Sequence, residues 1–230
     1  MSLLTDFFST ILAGESKTYN DHNWYVTGNK LKGYIEGKYG TKYPLLQKPL
    51  SEYTVGEVMQ FQSRGRDATG QLWATGRYQI IPSTFKGLVT SMKLPLSTKY
   101  DQKTQDNMGF KLLTERSPIR NYVTGVSADT TENLEKAALS VAQIWSSVGV
   151  PYPTQGSRQY VQKNQSYYAG GGDVASVKTE YVQEKLKQLR NGWKNVLDIV
   201  PEKKKIRIAL IVLTLAAATY LAVRVYRKYA

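Results

Sequence analysis

From Ile208 to Val223 the chain carries 16 consecutive residues without a charge. Lys203, Lys204, Lys205 and Arg207 precede this run, and Arg224, Arg227 and Lys228 follow it. At the helical rise it would reach ~24 Å, short of the ~30 Å hydrocarbon core of a bilayer. Arg207 and Arg224 can snorkel, and Ile206, Val225 and Tyr226 lengthen the apolar stretch, so a span of Ile206 to Tyr226 is expected. Tyr226 and Tyr229 suit one interface. A buried soluble helix is the alternative, and basic clusters on both flanks argue against it. Four bases before the run and three after leave its orientation open. Residues 203–230 are therefore expected to form a C-terminal transmembrane anchor.

The preceding sequence divides at Ala169-Gly170-Gly171-Gly172-Asp173, which reads as a flexible joint. Beyond it Val182, Leu186, Leu189, Trp193, Val196 and Val200 recur at steps of three and four. That pattern predicts an amphipathic helix with a basic polar face, free to pack on the body, lie on lipid or pair with another copy. Residues 171–202 are expected to form the joint and connector, and residues 1–170 the folded domain.

Within 1–170 the pattern is mainly helical. Leu4, Phe8 and Ile11 form an apolar stripe in Met1–Ala13; no base precedes it and Asp6 interrupts it, so it reads as a retained core-facing helix rather than a secretory signal. Ser51 to Gln62 predicts a helix with a capped start at Tyr53-Thr54-Val55-Gly56-Glu57. Arg64 to Gly76 reads as a hairpin or loop, and Pro82 opens another helix. Leu134, Ala138, Val141, Ala142 and Trp145 predict a helix from Leu134 to Val148. The expected fold class is α+β, mostly α, with a small β-hairpin region.

Composition removes whole classes of chemistry. The chain has no cysteine, which excludes disulfides and thiolate metal sites, and its one histidine, His22, excludes a multi-histidine metal centre. His22 reads as a polar loop residue, and no cofactor is expected. Of the net charge of +13, seven charges belong to 203–230. The remaining body is modestly basic, which suits an anionic polymer or a phospholipid surface. No nucleic-acid-binding signature accompanies it, so nucleic acid is not an expected partner.

Glu15 follows Ile11 by four residues, a spacing that puts its carboxyl on the apolar face of the first helix. A carboxyl desolvated there holds its proton to higher pH than usual, as a general acid requires. Three segments belong together with it: Gly14-Glu15-Ser16; Ala74-Thr75-Gly76-Arg77-Tyr78-Gln79-Ile80-Ile81; and Ala142-Gln143-Ile144-Trp145-Ser146-Ser147, followed by Tyr152 and Gln155. Their order and spacing, with Gln105-Asp106 and Glu115-Arg116 between them, resemble the phage lambda endolysin type of lytic transglycosylase in the lysozyme-like superfamily. The resemblance covers roughly residues 3–168. It implies a mostly helical domain with a small β region beside a sugar-binding cleft. It also implies cleavage of the β-1,4 bond between N-acetylmuramic acid and N-acetylglucosamine, with Glu15 as the catalytic residue and Gln79 as the cleft glutamine.

Two-carboxylate glycosidases hold their acids ~5–5.5 Å apart when retaining and ~6.5–9.5 Å when inverting. Asp21, Glu52, Glu57 and Asp67 are the candidates for a second acid, and no motif sets any of them opposite Glu15. A single-carboxylate route, with closure by the muramyl C6 hydroxyl, is therefore preferred to hydrolysis. Around Glu15, Ser16 is placed to hydrogen-bond it or to cap a helix. Gln79 suits an N-acetyl group, Glu15 itself or a buried backbone group. Trp73 and Tyr78 suit stacking on sugar faces, with the core as Tyr78's alternative. Arg77 suits a muramyl carboxylate or a neighbouring acid. Tyr152 and Gln155 suit a cleft rim, and Trp145 the core. The expected activity is that of a membrane-anchored phage enzyme acting on peptidoglycan glycan strands. Its lipid partner would be the virion membrane or the host inner membrane, with capsid proteins as further neighbours. The alternatives are a hydrolytic muramidase and a non-catalytic link between capsid and membrane.

Overall fold

The computed structural model describes residues 7–9, 14–16, 18–25, 34–36, 42–44, 46–63 and 71–199. The expected anchor, Ile206 to Tyr226, lies outside the described residues, as do Leu4, Ile11 and Asp67. Among the described residues no helix is long and apolar enough to cross a membrane.

The fold is α+β and mostly helical, with three small antiparallel sheets. Strand β1 (His22–Tyr25) pairs with β4 (Gln71–Thr75), β2 (Tyr34–Glu36) with β3 (Lys42–Pro44), and β5 (Thr154–Gln155) with β6 (Tyr160–Val161). The helices are α1 (Val55–Ser63), α2 (Pro82–Ser91), α3 (Gln102–Glu115), α4 (Ser117–Val123), α5 (Thr131–Ala142) and α6 (Thr179–Ile199). His22 thus begins a strand rather than sitting in a loop. The 64–76 region yields β4, whose partner lies some fifty residues upstream and not in a local hairpin; residues 64–70 are not described.

Local sequence accounts for most helix starts. At α1 the Glu57 carboxylate accepts from the Thr54 backbone N–H at 2.6 Å, and Thr54 Oγ1 accepts from Glu57 N–H at 3.2 Å. This reciprocal pair is a capping box, and it satisfies two backbone donors at the helix N-terminus. Asp101 accepts from Thr104 N–H at α3, and Thr130 from Asn133 N–H at α5. Pro82 stands in the first turn of α2 and Pro118 in that of α4, where a missing N–H costs nothing.

The core joins residues from end to end of the described chain. Phe7, Leu72, Phe85, Tyr100, Tyr122 and Leu186 are all essentially inaccessible to solvent. Residues 7–9 are helical and bury Phe7 and Phe8, as the N-terminal stripe requires.

One expectation is corrected here and one open alternative is decided. Helix α5 stops at Ala142, not Val148. Trp145 and Val148 stay buried, but the backbone beyond Ala142 is engaged elsewhere. Ser147 C=O accepts from the N–H groups of Ser176 and Val177, and Gly149 N–H donates to Val177 C=O. Continuing the helix would forfeit these bonds. Of the three settings open to the amphipathic helix, packing on the body is the one found past the glycine segment. Beyond it, Val182 and Leu186 of α6 enter the main core, and the buried Arg190 donates to Tyr122 C=O and lies over the Tyr122 ring. Helix α6 is packed against α4 and α5. A helix with an apolar face is stable in water only when that face is covered, and here the body covers Val182 and Leu186, with Leu189 packed beside them.

Candidate active site

Glu15 lies in a turn, not on the face of a helix. Its orientation comes from a bond across 132 residues of sequence: the Ser147 backbone N–H donates to Glu15 Oε1 at 2.9 Å. Gly14 makes this approach feasible. A Cβ at position 14 would stand 2.3 Å from Ser176 Oγ and 2.8 Å from Ser147 Cβ, closer than real atoms allow. Glu15 is half-buried, so the expectation of a carboxyl set on a helical apolar face gives way to one held at the edge of a groove.

That groove is a cleft of about 560 Å³, within the ~300–1,000 Å³ typical of ligand pockets. Glu15, Trp73, Gln79, Gln143, Trp145 and Ser146 line it. Each of the three segments singled out in the sequence therefore contributes to one cavity. Strand β4 brings Trp73 and Ala74. A turn follows, closed by paired hydrogen bonds between Thr75 and Ile80, and it carries Gln79. The turn needs two left-handed residues, Gly76 at φ 70° and Gln79 at φ 46°. Gly76 has no room for a Cβ, which would fall 2.3 Å from Gln105 Oε1. Gln79 is not a glycine, so its conformation is strained, and strain of this kind gathers at functional sites. Its Nε2 donates to Gly76 C=O at 2.8 Å and steadies the turn.

The Gln105-Asp106 pair of α3 pins this turn from behind. Fully buried Gln105 donates to the carbonyls of Tyr19 and Tyr100 and accepts from Arg77 N–H. Asp106 accepts from the hydroxyls of Tyr19 and Tyr78, at 2.9 and 2.8 Å. Burial, and then the Asp106 carboxylate, push the Tyr78 phenol far above its usual range, so it remains a neutral donor. Trp145 donates from Nε1 to Tyr78 C=O, and its ring meets Phe8 edge to face. Trp145 is core, as expected, and also forms part of the cleft wall.

Several expected site residues lie elsewhere. Ser16 neither bonds Glu15 nor caps a helix: its hydroxyl donates to Asp21 Oδ2 at 2.7 Å and to Thr18 C=O at 2.8 Å. Tyr78 does line the cleft, but at 2% exposure it is the core alternative, a wall rather than a stacking surface. Arg77 lies over the Tyr19 ring and lines a second hollow on the far side of Tyr78, not the cleft. Gln155 stands in β5, exposed, and Tyr152 precedes that strand; neither lines the cleft. Among the second-acid candidates, Asp21 is held by Ser16 and Thr18, Glu57 by the α1 cap, and Glu52 is exposed.

Arg116, Arg158, Tyr168 and Asp173 also line the cleft, and none of them was given a role from the sequence. Asp173 is a carboxylate on the same cavity as Glu15, supplied by the glycine segment. Tyr168 donates to Gln143 C=O at 2.6 Å, and burial raises its phenol. The one signal that pointed this way was Arg116, within the Glu115-Arg116 pair. Tyr168 and Asp173 fall at or just beyond the limit of the resemblance, beside glycines that read as a linker, and Arg158 lies within the resemblance but in none of the motifs that carry it. No protein-family model matches the chain, and neither a curated protein nor a solved structure shows significant similarity to it.

Proposed function

We propose that the chain is a peptidoglycan lytic transglycosylase with Glu15 as its acid and base. The observation that carries this reading is the meeting of Glu15 with Trp73 and Gln79, some sixty residues further along the chain, on one open cleft. Trp73 offers an aromatic face to a sugar ring and Gln79 a paired donor and acceptor to an N-acetyl group. The Glu15 carboxyl protonates the glycosidic oxygen as the bond from muramyl C1 to that oxygen breaks. The resulting carboxylate then takes the proton of the muramyl C6 hydroxyl, whose oxygen closes on C1. The products are a 1,6-anhydromuramyl end and a free N-acetylglucosaminyl 4-hydroxyl, and Glu15 is protonated again. The Ser147 N–H keeps Glu15 Oε1 in place through both transfers.

Asp173 gives a specific reason to weigh a second outcome, hydrolysis by a carboxylate pair, because it lines the same cleft. Digestion of purified murein by the full-length chain in detergent, with product ends identified by mass spectrometry, decides between them. Anhydro ends support the transglycosylase; reducing ends assign a muramidase. Absence of released muropeptides would leave the body as a non-catalytic link between capsid and membrane. The uncharged run from Ile208 to Val223 supports a membrane-held enzyme, in a virion membrane where it opens the wall during infection or in the host inner membrane at lysis.

A further inference from the structure

Arg116 and Arg158 line the Glu15 cleft, and neither guanidinium has an ion-pair partner among the described residues. Five other cations among the described residues are paired, Lys48 with Glu57, Lys111 with Glu115, Lys136 with Glu132, Lys163 with Glu180 and Arg190 with Asp129, none of them at the cleft. Arg158 is also seated. Its Nη1 lies 1.5 Å from where a Cβ at Gly171 would be, so the guanidinium occupies the space a side chain there would need. Gly170 and Gly172, at φ 94° and 90°, give the segment a backbone path that other residues adopt only with strain. The Gly170-Gly171-Gly172 run is thus a bed for Arg158 at the cleft. Arg116 reaches the cavity from the α3–α4 junction and acts electrostatically on the cleft residue Tyr168.

An unpaired guanidinium at a binding cleft is a seat for a carboxylate, which it can engage through two parallel hydrogen bonds. Peptidoglycan supplies carboxylates from two sources, the acidic stem peptide and, where the stem has been removed, the muramyl lactyl group. Two such cations, one from each of two distant segments, fit an extended ligand with more than one acid group better than a single lactyl carboxylate. We propose that Arg116 and Arg158 bind the carboxylates of the stem peptide, so that this cleft selects glycan whose acidic stems are intact. The inference rests on the transglycosylase reading for its substrate, and it assigns a specificity determinant that this reading does not contain.

The test uses the full-length chain in detergent and three murein preparations: free-acid stems, stems with amidated carboxyls, and strands denuded of stems. The wild type is expected to cleave the free-acid form with a kcat/KM roughly tenfold above the other two. R116Q/R158Q should lose that preference, its kcat/KM on free-acid stems falling to the value it shows on amidated ones. G171A keeps both charges but displaces the Arg158 guanidinium, whose flexible end can yield without moving the backbone. It should lose part of the preference at unchanged thermal stability. Equal wild-type rates on free-acid and amidated stems overturn the proposal, as does preference for denuded strands, which points to the lactyl carboxylate. An equal fall of the double variant on all three forms overturns it too. Binding of an isolated acidic stem tetrapeptide, read by tryptophan fluorescence, separates the two readings. Tetrapeptide binding that R116Q/R158Q abolishes, without murein cleavage by the wild type, keeps the seat and rejects the enzyme. Cleavage indifferent to stem charge keeps the enzyme and rejects the seat.

Discussion

At the scale of single residues, the chemical role proposed for Glu15 and its structural bond to the Ser147 N–H can be separated. Glu15→Gln keeps an acceptor for the Ser147 N–H but loses the transferable proton. Murein cleavage should fall by at least ~100-fold with the melting temperature unchanged. Glu15→Ala removes the acceptor as well and should cost about 1 kcal/mol of stability, read by denaturant unfolding. An inactive Glu15→Gln that is also strongly destabilised would show the residue to be architectural. The same separation explains why Glu15 was legible in the sequence while its setting was not. A carboxyl next to a glycine between an apolar stripe and a polar turn drew notice, but the partner that aims it is a backbone N–H at position 147. Gln79 differs: its left-handed backbone leaves no mark in the residue type, since the turn it closes is imposed by the pairing of Thr75 with Ile80 and by Gln105 behind it.

At the scale of elements, the helix starts answer to local rules. Thr54→Ala should cost about 1 kcal/mol by breaking the capping box of α1. The bond from the Thr54 backbone N–H, with Lys48 contributing, holds the Glu57 carboxyl below its usual range. A depressed folded value means the stabilisation is present above the unfolded carboxylate pKa and is lost as pH falls through the folded one. The stability gap between wild type and Glu57→Ala should therefore be constant near neutrality and narrow below about pH 4.5. A gap that widens in acid would contradict the assignment. Helix α6 follows a different logic. A chain ending at Gly170 loses Val182 and Leu186 from the core and should fail to unfold cooperatively in thermal denaturation, whereas a chain ending at Ile199 should do so. Leu186→Ala alone is expected to cost about 2–5 kcal/mol.

At the scale of the whole molecule, the core is rich in buried phenols. Burial raises Tyr78, Tyr100 and Tyr122 above the usual tyrosine range, and the Asp106 and Asp129 carboxylates add to this at Tyr78 and Tyr122. With folded values raised, the stabilisation is complete below the unfolded pKa of about 10 and drains away as pH climbs beyond it. Denaturation midpoints should fall above pH ~10, and absorbance near ~295 nm should show a set of tyrosines ionising only as the protein unfolds. Full ionisation of all tyrosines while folded structure persists would refute it.

The sequence by itself determined the mainly helical character, the cap of α1, the start of α2 at Pro82, the burial of Trp145 and the three segments that meet at the cleft. These follow from side-chain period and backbone stereochemistry, which act over a few residues. Only the tertiary structure decided that α5 ends at Ala142, that α6 belongs to the body, that Tyr78 is a wall, and that Asp173, Arg116 and Arg158 share a cavity with Glu15. Each of those depends on which distant group fills a hydrogen bond or covers an apolar face. A run of glycines reads alike as a loose tether or as a bed for an arginine until the arginine is seen lying in it.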